Sequence, residues 1–300
     1  MEWLLRGDVS IQYQVRRDLF GEHVPKLQAK IASAGWGAAF LAKRQNHGHW
    51  GQKFYQPNWI SSHYTLLDLK HLGILPQPAI MATIRLILTN ERAKNGCINP
   101  AGSGMVGDVC INGMFLNYAA YFGIRESELE PIVDFILGTR LPDGGFNCNI
   151  NRQGAHHSSM HTTISVLEGL LEFQARGYRY RYKEIIQARR SSEEFLLMHE
   201  LYKSDHSGQI IHPAFLRLPF PSRWKYDILR ALVYFQSAQC PWDNRLKPAL
   251  DVLIKKRNSD GSWNLNAPYA GQVHFHMEQA GQPSRWNTLR ALKVIMNYEL

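Results

Sequence analysis

The residues most able to do chemistry stand together at the start of one apolar segment, GDVCINGMFLNYAAYFG at 107–123. Asp108 is a natural N-cap there, and it places Cys110 in the first turn of a helix, where the helix dipole favours the thiolate that a metal needs. Asp-x-Cys is therefore either a metal-binding corner or a helix cap followed by a buried thiol. The choice depends on whether the chain supplies a third ligand at an equivalent place.

Composition limits the classes of protein to consider. The chain has 300 residues, is 45% hydrophobic and carries a formal net charge of +9. No run of about 18 apolar residues and no secretory signal is present, so no transmembrane segment is expected. Four cysteines are few for a disulfide framework, which predicts a reduced, cytoplasmic protein. The positive charge suits anionic partners, but no zinc-finger or RNP pattern is present, so nucleic acid is not expected.

The elements that position Asp108 and Cys110 belong to a repeat. Five loops share the form Gly-x-apolar, and they recur at intervals of about 50 residues. We call them the glycine turns. They lie at Gly48, Gly96, Gly144, Gly208 and Gly261.

Each glycine turn lies between two helix-like segments of different character. The turn-preceding segments, beginning with KLQAKIASAGWGAAFLAKRQ, are amphipathic, whereas the turn-following segments are smaller and more apolar. Adding VSIQYQVRRDLFG gives about six inner and five outer helices. The alternation predicts an all-α protein, a single α/α-toroid domain over 1–300 in which the helices form a closed double ring. An open α-solenoid is the alternative, but it needs polar capping repeats that neither terminus offers.

The turns also carry a resemblance to a known superfamily. FLAKRQNHGHWG, FILGTRLPDGGFN and LIKKRNSDGSWN resemble the prenyltransferase/squalene-cyclase repeat, over most of the chain. The resemblance implies the α/α toroid shared by protein prenyltransferase β subunits and triterpene cyclases.

DVC and HTTISVLEGL resemble the zinc-site motifs of those β subunits. The resemblance implies that Asp108, Cys110 and His161 hold zinc. The residues agree with it, since Ser159 is a second plausible N-cap that places His161 in a first helical turn. Three protein ligands leave a tetrahedral zinc one open position, as in catalytic sites. Candidates for a fourth ligand are Cys148, His156 and His157, with surface histidines as the alternative explanation.

A second group of candidate site residues stands at the starts of the turn-following segments. PNWISSH, PSRWKYD and PSRWNTL place tryptophans at equivalent corners, where flat π faces suit an isoprenoid chain or a carbocation, or wedge helices together. Two arginines in the same motifs suit an anion, or cap neighbouring carbonyls. The predicted substrate-binding residues are Trp59, His63, Arg223, Trp224, Tyr226, Arg285 and Trp286.

The chain departs from both branches of the superfamily. Gly102 and Met105 stand where the β subunits carry the arginine and lysine of a diphosphate clamp, and Ile111 replaces a tyrosine. The Asp-x-Asp-Asp acid of squalene–hopene-type enzymes is missing, and Asp227 is a weak candidate as its substitute.

The sequence predicts a zinc-dependent, prenyltransferase-like or cyclase-like enzyme acting on a hydrophobic small molecule that is isoprenoid-like or anionic. One alternative is a non-catalytic toroid that binds a lipid or peptide, with zinc structural or absent. Another is a metal-free cyclase-like enzyme with Asp227 as the acid. Whether a second protein completes the site stays open.

Overall fold

The computed structural model describes residues 1–100, 107–150 and 154–298. Helices dominate that part of the chain. They are α1 (Glu2–Leu5), α2 (Val9–Leu19), α3 (Pro25–Lys30), α4 (Gly35–Leu41), α5 (Ser62–Leu72), α6 (Pro78–Asn90), α7 (Val109–Tyr121), α8 (Glu126–Gly138), α9 (Met160–Ala175), α10 (Tyr182–Met198), α11 (Ile228–Ser237), α12 (Lys247–Lys255) and α13 (Arg285–Asn297).

Strand structure in the described part is limited to β1 (Trp263–Asn264) and β2 (Pro283–Ser284), which pair antiparallel, with Trp263 opposite Ser284. Short 3₁₀ helices lie at Asn58–Ile60, Pro213–Leu216 and Asn244–Leu246. Within the described ranges, no helix is both long and apolar enough to cross a bilayer.

The glycine turns form as the repeat predicts. The glycine of each turn has a positive φ, between 67° and 97°, which glycine adopts without steric cost. In four turns the glycine N–H donates to the carbonyl three residues before it, as Gly48 does to Gln45 at 3.0 Å. At Gly208 the bond reaches Ser204, four residues back.

Four of the turns are also tied to the helix that follows. Trp50 N–H donates to Ser62 Oγ at 3.0 Å, and Trp263 N–H donates to Thr288 Oγ1 at 3.0 Å. Phe146 and Ile98 make the corresponding bonds to Thr163 and Asn112. In each of these four cases, a side chain near the start of the following helix fixes the end of the turn.

Burial separates the two helix sets. In α7, which follows a turn, all residues except Cys110 and Tyr121 are buried. In α8, which precedes one, only Leu129, Ile132, Val133, Phe135 and Ile136 are buried. The first turn-preceding segment was expected as one helix but forms two, α3 and α4. The chain breaks at Gly35, whose φ of +62° is incompatible with a continuous α-helix.

The chain divides into two compact units. The terminal unit comprises Met1–Lys43, His71–Leu75 and Leu197–Leu300, and the middle unit comprises Arg44–Lys70 and Pro76–Leu196. In the middle unit, α7 and α9 pack against each other more extensively than any other pair of helices among the described residues. The single-domain organisation of 1–300 stays a prediction.

Candidate functional site

Two cysteines from distant parts of the middle unit meet at the start of α7. The main-chain N–H of Cys110 lies 3.2 Å from Cys148 Sγ and donates to it. The hydroxyl of Thr162, in the first turn of α9, donates to the same sulfur at 3.4 Å. We call Cys110 and Cys148 the thiol pair. Both side chains are partly exposed, and neither cysteine is in a disulfide.

The two thiols differ in acidity. The Cys110 thiol donates a hydrogen bond to Cys148, and this bond, with burial as the second cause, raises the pKa of Cys110 well above its ordinary value. The same bond is the main cause that lowers the pKa of Cys148, with help from Thr162. From the sequence, the helix dipole alone predicts that Cys110 is the thiolate. The contacts instead stabilise the thiolate of Cys148.

Asp108 and His161 take the positions that the sequence predicts. Asp108 is the N-cap residue of α7 and Ser159 that of α9, although among the described residues neither side chain makes a capping hydrogen bond. His161 is the second residue of α9, directly before Thr162. The two helix starts therefore contribute neighbouring residues to the surroundings of Cys148.

Tyr55 lies within electrostatic reach of the thiol pair. Burial raises the pKa of Tyr55, and the negative charges of Cys110, Asp108 and Cys148 raise it further, whereas a hydrogen bond with Tyr64 opposes the shift. The phenol oxygens of Tyr55 and Tyr64 are 2.9 Å apart. The sequence pattern did not predict Tyr55 as a site residue, because Tyr55 stands in a polar loop and not at the start of a helix.

Aromatic rings extend from Tyr55 through the middle unit. The rings of Trp59 and Tyr64 meet edge to face with centroids 4.8 Å apart, and those of Tyr55 and His63 lie 5.3 Å apart. His63 Nδ1 is 3.3 Å from the hydroxyl of Tyr118 in α7. We call Tyr55, Trp59, His63, Tyr64 and Tyr118 the aromatic cluster. Tyr55 and Trp59 are half-buried, so they form its accessible edge.

His63 is fully buried in this cluster. Its Nε2 has no hydrogen-bond partner within the described residues. Burial lowers the pKa of His63 to about 3, because a charged imidazolium would lose its hydration among aromatic rings. The imidazole is therefore neutral at pH 7.

The donor chemistry of this corner suits zinc in part, since thiols, a carboxylate and an imidazole are all zinc ligands. In the described part of the chain, however, no three His, Cys, Asp or Glu side chains are grouped closely enough to hold a metal. Zinc on Asp108, Cys110 and His161 therefore stays a prediction, and we derive no catalytic step through it. Gly102 and Met105, the clamp positions, lie outside the described residues.

The other predicted substrate-binding residues lie in the terminal unit. The Trp286 ring stacks on Phe220, with centroids 4.7 Å apart, and on Trp36 at 6.1 Å. Trp286 is buried, and its indole nitrogen has no hydrogen-bond partner in the described ranges. Trp224 is half-buried, and Lys225 Nζ lies 3.8 Å from its ring centroid.

The polar side chains of two predicted site residues in the terminal unit already make hydrogen bonds within the protein. Arg285 Nε donates to the Trp3 carbonyl at 3.1 Å, which matches the carbonyl-capping alternative. The Tyr226 hydroxyl donates to the Leu201 carbonyl at 2.6 Å. Arg223 is buried, with a left-handed φ of 57°. Their roles in substrate binding stay predictions.

Asp227 is the N-cap of α11, and it is fully buried. Its Oδ1 accepts from the Arg230 N–H and its Oδ2 from the Ser222 hydroxyl, each at 2.8 Å. Burial raises the pKa of Asp227, whereas the positive charge of Arg290 lowers it. Oδ1 thus caps α11, whereas Oδ2 is held by a side chain outside the helix, and a role as proton donor stays a prediction.

No family model matches this chain, and no curated protein matches it. Among solved structures, a polysaccharide lyase is similar with a TM-score of 0.54 at 10% identity, over 96% of this chain and 88% of that chain. A variant of the type II terpene cyclase MstE from Scytonema, in complex with merosterolic acid A, has a TM-score of 0.47 at 14% identity, over 97% and 87%. Another, in complex with geranylgeranyl dihydroxybenzoate, has a TM-score of 0.46 at 15% identity, over 97% and 86%.

At such low identities the likeness concerns the fold alone. It extends over nearly the whole chain and accompanies a helical architecture. The predicted fold class, all-α of the α/α-toroid type, is confirmed.

Proposed function

We propose that the protein is an enzyme that acts on a hydrophobic, isoprenoid-like molecule bound at the aromatic cluster of the middle unit. The observation that carries the proposal is the position of Tyr55. Its ring belongs to the cluster, and its phenol lies within electrostatic reach of Asp108 and the thiol pair. Apolar binding surface and reactive side chains therefore adjoin at one residue.

The physical chemistry of the cluster suits an unsaturated chain. Aromatic faces attract cations and the positive charge that develops on an isoprenoid carbon, besides providing apolar contact. The half-buried rings of Tyr55 and Trp59 present such surface, and the buried rings behind them hold it in place. A saturated chain of similar length gains the apolar contact, but it has no double bonds to pack against the ring faces or to develop positive charge.

Zinc on Asp108, Cys110 and His161 is the finer part of the proposal, and it rests on the sequence. Metal analysis of the purified full chain tests it. About one zinc per chain, lost in Asp108→Ala, Cys110→Ala and His161→Ala, would support the catalytic arrangement of three protein ligands and an open position. A metal-free protein whose folded Cys110→Ala variant keeps full activity would contradict the zinc proposal.

Binding is tested with a fluorescently labelled geranylgeraniol, and with hexadecanol carrying the same label. We expect the isoprenoid to bind at least about tenfold more tightly than the saturated alcohol, since a tenfold change corresponds to only about 1.4 kcal/mol. Trp59→Ala should weaken isoprenoid binding. Trp242→Ala, which removes a tryptophan 42% exposed in the terminal unit, is the matched control and should leave it unchanged.

Turnover is tested separately with geranylgeranyl diphosphate, by following release of diphosphate and formation of prenyl products. Binding with turnover supports the enzyme. Tight binding without turnover of any isoprenoid favours the alternative, a non-catalytic toroid that holds a lipid. Equal, weak binding of both labelled alcohols would contradict an isoprenoid site at the aromatic cluster.

A further inference from the structure

Cys110 and Cys148 are 38 residues apart in the sequence, yet the sulfur of one touches the backbone of the other. Cysteines can be bridged only when their Cα atoms lie within about 7 Å. A sulfur of Cys148 at 3.2 Å from the main-chain nitrogen of Cys110 meets that need, because the nitrogen is bonded directly to the Cys110 Cα.

The loop that carries Cys148 is held by the two residues directly before the cysteine. Before it, the Phe146 N–H donates to Thr163 Oγ1 at 3.0 Å, and the Phe146 carbonyl accepts from the Ser159 N–H at 2.8 Å. Beside it, Asn147 Nδ2 donates to the His157 carbonyl at 2.8 Å. The partners of these hydrogen bonds lie at or just before the start of α9, and α9 packs on α7. The fold therefore holds Cys148 next to Cys110.

Exposure distinguishes this pair from Cys97, and position distinguishes it from Cys240. Cys110 and Cys148 are both partly exposed, so a small oxidant can reach them. Cys97 is fully buried, whereas Cys240 is also partly exposed but lies in the terminal unit. The fold thus places two partly exposed thiols next to each other.

We propose that Cys110 and Cys148 are a redox-active dithiol that a peroxide converts into a reversible disulfide. The step balances with hydrogen peroxide as the oxidant. Each thiol loses one proton and one electron as the S–S bond forms, and the peroxide O–O bond breaks as it takes up both protons and both electrons to give two waters. A small dithiol reductant reverses it by thiol–disulfide exchange. This site is independent of the proposed isoprenoid chemistry.

The test uses the full-length protein treated with EDTA, so that its outcome does not depend on zinc. The protein is exposed to a small excess of hydrogen peroxide, remaining thiols are alkylated, and the cysteine peptides are mapped by mass spectrometry. We expect a cross-linked Cys110–Cys148 peptide that disappears with dithiothreitol, while Cys97 and Cys240 remain alkylated. Recovery of both Cys110 and Cys148 as alkylated thiols, or as separately oxidised sulfinic acids, would overturn the proposal.

Two controls tie the disulfide to the fold. The same treatment in urea should give mixed cysteine pairings, because proximity is lost on unfolding, and an unchanged Cys110–Cys148 preference there would contradict the geometric argument. Cys148→Ser should remove the cross-link and leave Cys110 reduced or as a sulfenic acid captured by dimedone, whereas Cys240→Ser should keep the cross-link. The mapping of the wild-type protein decides the question even if Cys148→Ser folds poorly.

Discussion

Gly113 of α7 and Gly169 of α9 lie backbone against backbone. A Cβ placed on Gly169 would come within 2.3 Å of the Gly113 carbonyl oxygen, and one placed on Gly113 would come within 2.7 Å of the Ser165 carbonyl oxygen. Real Cβ atoms do not approach backbone oxygens so closely. These two glycines therefore allow the close approach of the helices that begin beside the thiol pair.

Gly169→Ala should force α7 and α9 apart. We expect a loss of about 3 kcal/mol in the free energy of unfolding, at the upper end of overpacking costs. Gly138→Ala is the matched control, since that glycine ends α8 with nothing near its Cβ, and it should be neutral or stabilising by up to about 1 kcal/mol. Urea unfolding measures both, and equal effects would contradict the close-approach argument.

Thr288→Val tests the ties between glycine turns and the helices that follow them. The change keeps the shape of the side chain but leaves the buried N–H of Trp263 without its acceptor at 3.0 Å. An unsatisfied buried donor costs about 1–3 kcal/mol. Thr89→Val, at an exposed hydroxyl bonded to the Arg85 carbonyl, should change stability by less than about 0.5 kcal/mol. Calorimetric unfolding that ranks the two variants the other way would refute the role of the tie.

The buried imidazole of His63 makes stability depend on pH. Its pKa falls from 6.5 to about 3 in the folded chain, so between these pH values the unfolded chain binds more protons. The free energy of unfolding should therefore decrease as pH falls through this window, by an amount on the order of 5 kcal/mol. Neutral His63 contributes its full stability only above about pH 6.5.

His63→Phe should remove that part of the pH dependence, because phenylalanine keeps a ring but does not titrate. Carboxylates also titrate in this range, so the measurement is the difference between wild type and variant at each pH. His206→Gln, at a side chain 91% exposed, should leave the profile of the wild type unchanged. A constant difference between wild type and His63→Phe would show that His63 does not carry the effect.

Tyr226→Phe separates packing from substrate binding at a predicted site residue. Its hydroxyl is engaged with the Leu201 carbonyl at 2.6 Å in the buried interior. We expect the variant to lose about 1 kcal/mol of stability, a typical net value for a hydrogen bond, while it binds labelled geranylgeraniol as the wild type does. Tyr182→Phe, at an exposed ring, controls for loss of a phenol. Weaker binding with unchanged stability would instead support contact of Tyr226 with the substrate.

Local chemistry was readable in the sequence. Gly144 needs a positive φ that other residues adopt at a cost, so the turn at PDGGF is encoded where it stands. Asp108 and Ser159 take the N-cap positions directly before α7 and α9, as the sequence predicted, although neither side chain makes a capping hydrogen bond among the described residues. The repeat of these short signals was enough to predict the fold class.

Contacts between distant segments were decided only by the tertiary structure. Nothing within ten residues of Cys110 indicates that Cys148 will accept its N–H, since that contact depends on how the turn before α9 is pinned to Thr163. The burial of His63, which sets its pKa, likewise depends on rings from α7 and from the loop at Tyr55. Turns and caps are fixed by backbone preferences over a few residues, whereas proximity, burial and acidity depend on packing between elements far apart in the chain.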